Sequence, residues 1–556
     1  MRKTVKSTNR KLKVNVVAGT YVVLFGIGLK KVDARGVMGF AIYRTDHSRE
    51  DEGKWLEGMK VFESSSVKVG QKVSSRDYPI QGFLWQDFTA SPGTDYTYRV
   101  VALTGKPGEL KEHKQLQAEC SIRTEPEYGP THSVWFNRGI AGSQAYAREF
   151  GSATPQSVGS KAQRWLSRGL EEALLAFIAM AKDKSYGLRG ALYEFKHQPV
   201  IDALVDAQKR CKDVQLVIDM RVKANGPAKD NKKNVLAAGL TKVVIPRTAS
   251  ASSIAHNKFL ILMKNDKPVA VWTGSTNITP SGVFGQSNVG HMVKNAKTAQ
   301  AYLDYWELLA QDEDNKTLRP KVEELSPVPD ATDKPGTECI FSPRPGKEAL
   351  LGYRDVALGA QEAVFFTSAF GIGAEMGDAF NTERDVPSYI LMESKGNNES
   401  SRARTDELLK FRSNQIAIGG GLPSDLNNGY MRWLKELSRT GYTKNVHYVH
   451  NKFMIVDPLS KAPVVITGSA NFSLNSTTGN DENMLVIRGD TRVADIYLGE
   501  FVRLWRHYYF RDVIRRVGTK NAKKSWLLPN DTWSQSFYDP ASRKRFELKV
   551  FSDPTF

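Results

Sequence analysis

Two stretches of the chain align with one another without a gap: HNKFLILMKNDKPVAVWTGSTNIT at residues 256–279 and HNKFMIVDPLSKAPVVITGSANFS at residues 450–473. Every key position recurs after 194 residues: His256/His450, Lys258/Lys452, Gly274/Gly468, Ser275/Ser469 and Asn277/Asn471. Such a repeat means two copies of one supersecondary unit, so the fold has to accommodate two similar halves. Each copy reads as strand, turn, strand. Phe259–Met263 pairs with Val269–Thr273, and Phe453–Val456 pairs with Val464–Thr467.

In an extended strand residues i and i+2 point to one face. His256 and Lys258 therefore project together, as do His450 and Lys452. The GSxN turn puts small residues where a substrate must come close and adds a hydroxyl and an amide. Two copies related by a pseudo-twofold bring two histidines, two lysines and two asparagines to one point. That pocket is cationic and rich in donors, which suits a phosphate diester. One imidazole can attack and the other can deliver a proton. The lysines and amides already neutralise the phosphoryl oxygens, so the expectation is a site with no metal and no cofactor. A lone HxK on a hairpin is a solvated strand. The doubling, with GSxN sixteen residues after each lysine, carries the reading.

The constellation resembles the HxKxxxxD signature of the phospholipase D superfamily over about residues 132–515. ALYEF (191–195) and EFVRLWRHYYF (500–510) are also similar to that family. The second copy matches in full, with Asp457 at the Asp position; the first has Met263 there. The resemblance implies that this Asp is more structural than chemical. It also implies a carboxylate downstream of the turn, here Glu482, whose equivalent by the 194-residue offset is Asn288. The half-sites are thus unequal, as in the similar tyrosyl-DNA phosphodiesterases. Glu482 is expected beside His450, favouring its protonated form and making it the general acid. His256, beside an amide, is then the nucleophile that forms a phosphohistidine. The plainer alternative is that Glu482 and Asn288 only cap loops.

Around this core, residues 14–128 look all-β. GFAIYR, Trp55 and residues 80–103, with Trp85, Tyr96 and Tyr98 as core candidates, resemble a fibronectin-type-III-like sandwich. Residues 15–29 imitate a secretion signal, but Val16, Val17, Tyr21, Val22, Val23 and Leu24 favour a first strand. From residue 132 the pattern is α/β: a helix over 161–182, a strand at ALYEF, a helix from Pro199 to Arg210 and a strand from Val214 to Asp219. Residues 316–337, with Pro320, Pro327, Pro329 and Pro335, read as a loop, after which strands at Val364–Phe370 and Tyr389–Glu393 restart the pattern. The expected fold class is α/β with mixed sheets. Duplicated phospholipase-D-like halves (132–325 and 338–516) form an α-β-α-β-α sandwich. A basic tail (1–13) and an all-β sandwich precede them, and a C-terminal extension (517–556) follows.

The net charge of +18 points to a polyanionic partner. Residues 1–13 carry six Lys/Arg and no acid; residues 501–524 carry eight Lys/Arg and one Asp. Either stretch could instead be a solvated, solubilising segment. The expected activity is a phosphodiesterase, with DNA or RNA favoured as substrate. The alternatives are a phospholipase D acting on head groups, with the basic segments on an anionic lipid surface, and a non-catalytic phosphate-binding scaffold. The β domain offers a surface for a partner protein. Three scattered cysteines argue against a disulfide framework, no run of about 18 apolar residues predicts a spanning helix, and a cytoplasmic setting is expected, with an atypical N-terminal signal left open. His197, His291, His447 and His507 lack repeat partners and read as core or surface histidines, and Trp505–Phe510 as core.

Overall fold

The apolar runs of the repeat become the centres of two seven-stranded sheets. The computed structural model describes residues 1–556 except 68–70, 140–142, 152, 154, 222–225, 250–252, 327, 329–333, 420–448, 518–525 and 553–556. His447, Pro327 and Pro329 lie outside the described residues, as does most of the basic stretch beyond residue 517.

Ten strands come first: β1 (Arg2–Lys6), β2 (Leu12–Ala18), β3 (Val23–Leu29), β4 (Gly39–Asp46), β5 (Glu52–Trp55), β6 (Glu57–Gly58), β7 (Val73–Ser74), β8 (Leu84–Asp87), β9 (Asp95–Lys106) and β10 (Glu109–Arg123). They form two antiparallel four-stranded sheets, ordered β1-β2-β3-β8 and β10-β9-β4-β5, and a small β6-β7 ribbon. Residues 1–13 are therefore not a solvated tail. Arg2–Lys6 pairs with β2, and the terminal amine and Arg2 reach the buried Asp495. Tyr96 and Tyr98 are buried as expected; Trp85 sits at the edge, with the Arg506 guanidinium 5.4 Å from its ring centroid.

The first mixed sheet contains β11 (His132–Phe136), β12 (Tyr186–Leu192), β13 (Asp213–Asp219), β14 (Val244–Arg247), β15 (Lys258–Lys264), β16 (Lys267–Gly274) and β17 (Val289–Val293). The second contains β18 (Gly336–Ser342), β19 (Val364–Ser368), β20 (Ser388–Met392), β21 (Asn414–Ile418), β22 (Phe453–Val456), β23 (Val464–Gly468) and β24 (Glu482–Arg488). Their orders, β11-β17-β16-β15-β12-β13-β14 and β18-β24-β23-β22-β19-β20-β21, are the same order repeated. In each, the hairpin strands pair antiparallel and the strands reached through helical crossovers pair parallel.

Strand alternation then sorts the side chains. Phe259, Ile261, Phe453 and Ile455 enter one core shared by both sheets, together with Tyr302, Tyr305, Tyr497 and Phe501 from the helices Ala296–Ala310 and Thr491–Val517. Leu260 and Leu262, and Met454 and Val456, face separate outer helical layers. The layers run α-β-α-β-α.

Three expectations at the level of elements are corrected. The helix over 161–182 is two helices, Ser160–Ser167 and Leu170–Ala179, broken where Arg168 and Gly169 take left-handed φ of 53° and 88°. Arg168 is held there by a two-point contact with Glu500, at 3.0 and 2.7 Å. The proline-rich loop begins as a helix, Asn315–Leu325, which keeps Pro320 within it because Leu318 and Val322 are buried in the shared core. The strand read at ALYEF ends at Leu192, so Tyr193 and Glu194 lie beyond it and Phe195 makes a separate parallel bridge with Ile278.

Candidate active site

His256 and Lys258 stand at the start of β15, and His450 and Lys452 just before β22. All four are buried, each lysine ammonium returns to the carbonyl of its own histidine, at 2.5 and 2.7 Å, and both pairs thus share a face as the strand period requires. The halves meet through two short parallel bridges, Ala255 with Asp481 and Ser287 with Val449. These bridges exchange under the 194-residue offset, so the junction is a pseudo-twofold and places the histidine pairs together.

The orientation of the imidazoles corrects the expected pairing. Glu482 does not hold His450. It accepts from Nδ1 of His256, at 3.0 and 2.9 Å. Asn288 Oδ1 accepts from Nδ1 of His450, at 2.8 Å. Each histidine is oriented by the opposite half. The physical reason is the pseudo-twofold itself: the strand ends that carry Glu482 and Asn288 project across the junction.

The serines of the two GS turns support these partners. Ser469 Oγ donates to Glu482 at 2.6 Å, and Ser275 Oγ donates to Asn288 Oδ1 at 2.8 Å. Both hydroxyls are buried. The turn glycines are needed for close backbone approach between strands: a Cβ on Gly274 would lie 2.2 Å from the Val289 carbonyl, and one on Gly468 would lie 2.1 Å from that of Asn483. The small residues of GSxN thus serve strand packing and the relay to the histidines. Asn277 donates to Glu194 at 2.6 Å, and the buried Oδ1 atoms of Asn277 and Asn471 have no partner among the described residues. Asp457, just past the end of β22, turns its carboxylate to the turn before β19 rather than to the histidines, and Met263 is buried in the shared core.

Burial, then the charges of Lys258 and Lys452, hold His256 well below the usual imidazole range, so it is neutral. Burial pushes Glu482 up to about 7 and Lys258 down to about 8, and it lowers Lys452 well below the ordinary range. With Nδ1 of each imidazole turned to an acceptor of the opposite half, Nε2 is the ring nitrogen directed away from that partner.

Several contributors carry no repeat signal. Tyr193 packs edge-on against His256, centroids 4.9 Å apart, and Lys258 sits 5.4 Å from its ring. Arg247 binds Asp481, the neighbour of Glu482, at 2.9 Å, while Asn480 donates to Glu482 at 3.3 Å. The sequence signal that marks Tyr193 is its place in ALYEF, the stretch similar to the phospholipase D superfamily. His291 is a core histidine, bonded to His132 at 2.9 Å and to Tyr497 at 3.0 Å; His197 is buried against Glu171.

Residues 174–309 and 384–505 match the family model described as cardiolipin synthase, PLD-like domain. Each half of the chain thus carries a phospholipase-D-like domain, the two repeated about one pseudo-dyad. It is 43% identical over 61 residues to a mitochondrial cardiolipin hydrolase of Xenopus laevis, a match to 11% of this chain and 27% of that protein. The human mitochondrial cardiolipin hydrolase is 39% identical over 61 residues, 22% of its length. The chain therefore spans about a quarter of these curated relatives. Among solved structures, phosphatidylserine synthase of Haemophilus influenzae Rd KW20 is similar over 65% of this chain and 94% of that one, with a TM-score of 0.44 and 12% identity. Nuc from Salmonella typhimurium is similar over 25% and 84% respectively, with a TM-score of 0.20 and 28% identity. Among the described residues no helix is long and apolar enough to cross a membrane.

Proposed function

We propose that the chain hydrolyses phosphodiester bonds of nucleic acid through a phosphohistidine on His256. The observation that carries this reading is the crossed pair of oriented imidazoles beside two buried lysines. Nε2 of neutral His256 attacks phosphorus while Lys258 and Lys452 stabilise the phosphoryl oxygens. His450 gives its Nε2 proton to the leaving oxygen as the P–O bond breaks. It then takes a proton from water, which attacks the phosphohistidine and frees His256.

The roles rest on a different reason from the one suggested by sequence offset. As Nε2 bonds phosphorus, the His256 ring becomes cationic, and Glu482 behind Nδ1 offsets that charge. The Nδ1 partner of His450 is the neutral amide Asn288, which adds no negative charge to hold its proton. Nucleic acid is favoured by the net charge of +18. The second reading, a lipid phosphodiester, is favoured by the family description and by the curated relatives, which are named for cardiolipin.

The test is turnover in EDTA on single-stranded DNA, RNA, phosphatidylcholine, cardiolipin and bis-p-nitrophenyl phosphate side by side. Cleavage of nucleic acid that persists in chelator, with alkali-stable, acid-labile label mapped to the peptide containing His256, is the expected result. Label on the His450 peptide alone would reverse the roles. Lipid turnover with no nucleic-acid cleavage would replace the substrate, and loss of all activity in chelator would replace the mechanism.

A further inference from the structure

Beside the His450 half-site lies a group of arginines with too little negative charge to balance it. Arg168 and Arg503 both bind Glu500, Arg168 at 3.0 and 2.7 Å and Arg503 at 2.7 Å. The next acid, Glu127, accepts from the Tyr21 hydroxyl. Arg138, the third guanidinium, lies 4.3 Å from the Trp165 ring centroid and donates only its Nε, to the Trp165 carbonyl at 2.8 Å. Among the described residues no acceptor meets its two terminal nitrogens. Burial, then Arg168 and Arg503, push Arg138 down to about 9, the signature of a cation short of an anion.

The group is wired to the catalytic side. Asn137, the residue before Arg138, exchanges backbone and side-chain hydrogen bonds with Asn288, at 3.4 and 2.9 Å, and Asn288 orients His450. Arg503 donates to the Asn137 carbonyl at 3.1 Å. Gly139, at a φ of 49°, presses so closely on Ser287 that a Cβ would come within 2.8 Å of its Cα. The Ser287 hydroxyl in turn accepts from the His450 backbone N–H at 3.4 Å. Stacking on Trp165 fixes the plane of the Arg138 fork and leaves its outer edge as a two-point donor, the geometry that fits a phosphate.

We infer that Arg138, backed by Arg168 and Arg503, binds a second phosphate of the substrate strand, next to the phosphate undergoing cleavage. This rests on the nucleic-acid reading above, because a strand presents neighbouring phosphates and a simple head-group lipid presents one.

The experiment compares the full chain with Arg138→Met, which keeps the alkyl contact with Trp165, and with Arg138→Lys, which keeps charge without the fork. The substrates are a labelled thymidine oligonucleotide and bis-p-nitrophenyl phosphate, which has one phosphorus. The expected result is a loss of kcat/KM on the oligonucleotide about tenfold larger than on the small diester, carried in KM, with Arg138→Lys intermediate. The slope of log affinity against log salt should fall by about one phosphate contact. Equal losses on both substrates, or no loss on either, would overturn the inference. So would a loss on cardiolipin vesicles with none on the oligonucleotide, which would assign the second phosphate to lipid. Failure of the wild type to cut the oligonucleotide would remove the nucleic-acid reading alone, and the salt slope of oligonucleotide binding would still decide the subsite.

Discussion

At the scale of single residues the site depends on who holds whom. The repeat identifies His256, Lys258, His450 and Lys452 directly, because their spacing needs only the period of a strand. The partner of each imidazole is not legible that way. A linear offset matches Glu482 with Asn288 as equivalents within their own halves, whereas contact is decided by how the halves dock, and the docking crosses them. Glu482 is therefore the residue on which activity at His256 turns. Burial raises its carboxyl to about 7, and it is the charged form that supports a cationic His256 ring. Protonation below that value removes the support, so kcat/KM should rise with pH through about 7. Glu482→Gln should lower kcat by about 10²–10⁴, by analogy with neutralising the carboxylate of a serine-protease triad, and should leave a flat acidic limb. A pH profile of the two proteins on bis-p-nitrophenyl phosphate checks this; an unchanged limb in Glu482→Gln would assign the titration to another group.

At the scale of elements, Asp457 shows why one half keeps a residue the other has lost. Its carboxylate accepts from three successive backbone N–H groups, Gln361 at 2.8 Å, Glu362 at 2.7 Å and Ala363 at 2.9 Å, and so ties the end of β22 to the turn that opens β19. In the first half the corresponding turn is closed differently: Asp183 caps Ser185, and the Asn265 N–H bonds the Ser185 carbonyl. Met263 is then free to fill the shared core. Asp457→Ala should cost about 2–4 kcal/mol in urea unfolding, from three charge-assisted bonds lost together, yet change kcat/KM by less than about threefold, since none of these atoms reaches an imidazole. Met263→Asp should be comparably destabilising, because it buries a carboxylate without donors. A large loss of kcat in Asp457→Ala at full stability would make the residue chemical after all. Elements are where sequence periodicity is least informative. The break at Arg168 follows from Glu500 more than three hundred residues away, and the helix through Pro320 follows from burial of Leu318 and Val322, neither of which local propensity contains.

At the scale of the whole molecule, the two ends of the chain close over the same β sheets. Residues 526–552 fold back onto the N-terminal strands. Trp533, Phe537 and Leu548 enter the core formed by Phe25, Phe40, Phe83 and Tyr98, and the Trp533 indole donates to the Val37 carbonyl at 2.8 Å. Glu547 accepts from the backbone N–H groups of Phe83 and Leu84, both at 2.8 Å, and the Phe551 carbonyl lies where a Cβ on Gly26 would stand. On the other side Arg492 binds Glu125 and Arg506 binds the Leu84 carbonyl, so the helix Thr491–Val517 carries the β sheets rigidly against the second half. From sequence, residues 517–556 read only as a C-terminal extension, because each aromatic is separated from the strands it covers by most of the sequence. The β sheets should therefore not hold together without that segment. Trp533→Ala should cost about 3–5 kcal/mol, the usual range for emptying a buried tryptophan site. A chain ending at residue 525 should expose β2, β3 and β8 to limited proteolysis while the two mixed sheets stay protected, because the shared core draws from this segment only Phe551 and the flanking Val550. Cleavage confined to residues 1–123 in the truncated chain, with none in the full chain under the same protease, is the expected pattern. Equal resistance of the two chains would show that the N-terminal sheets close without the C-terminal aromatics.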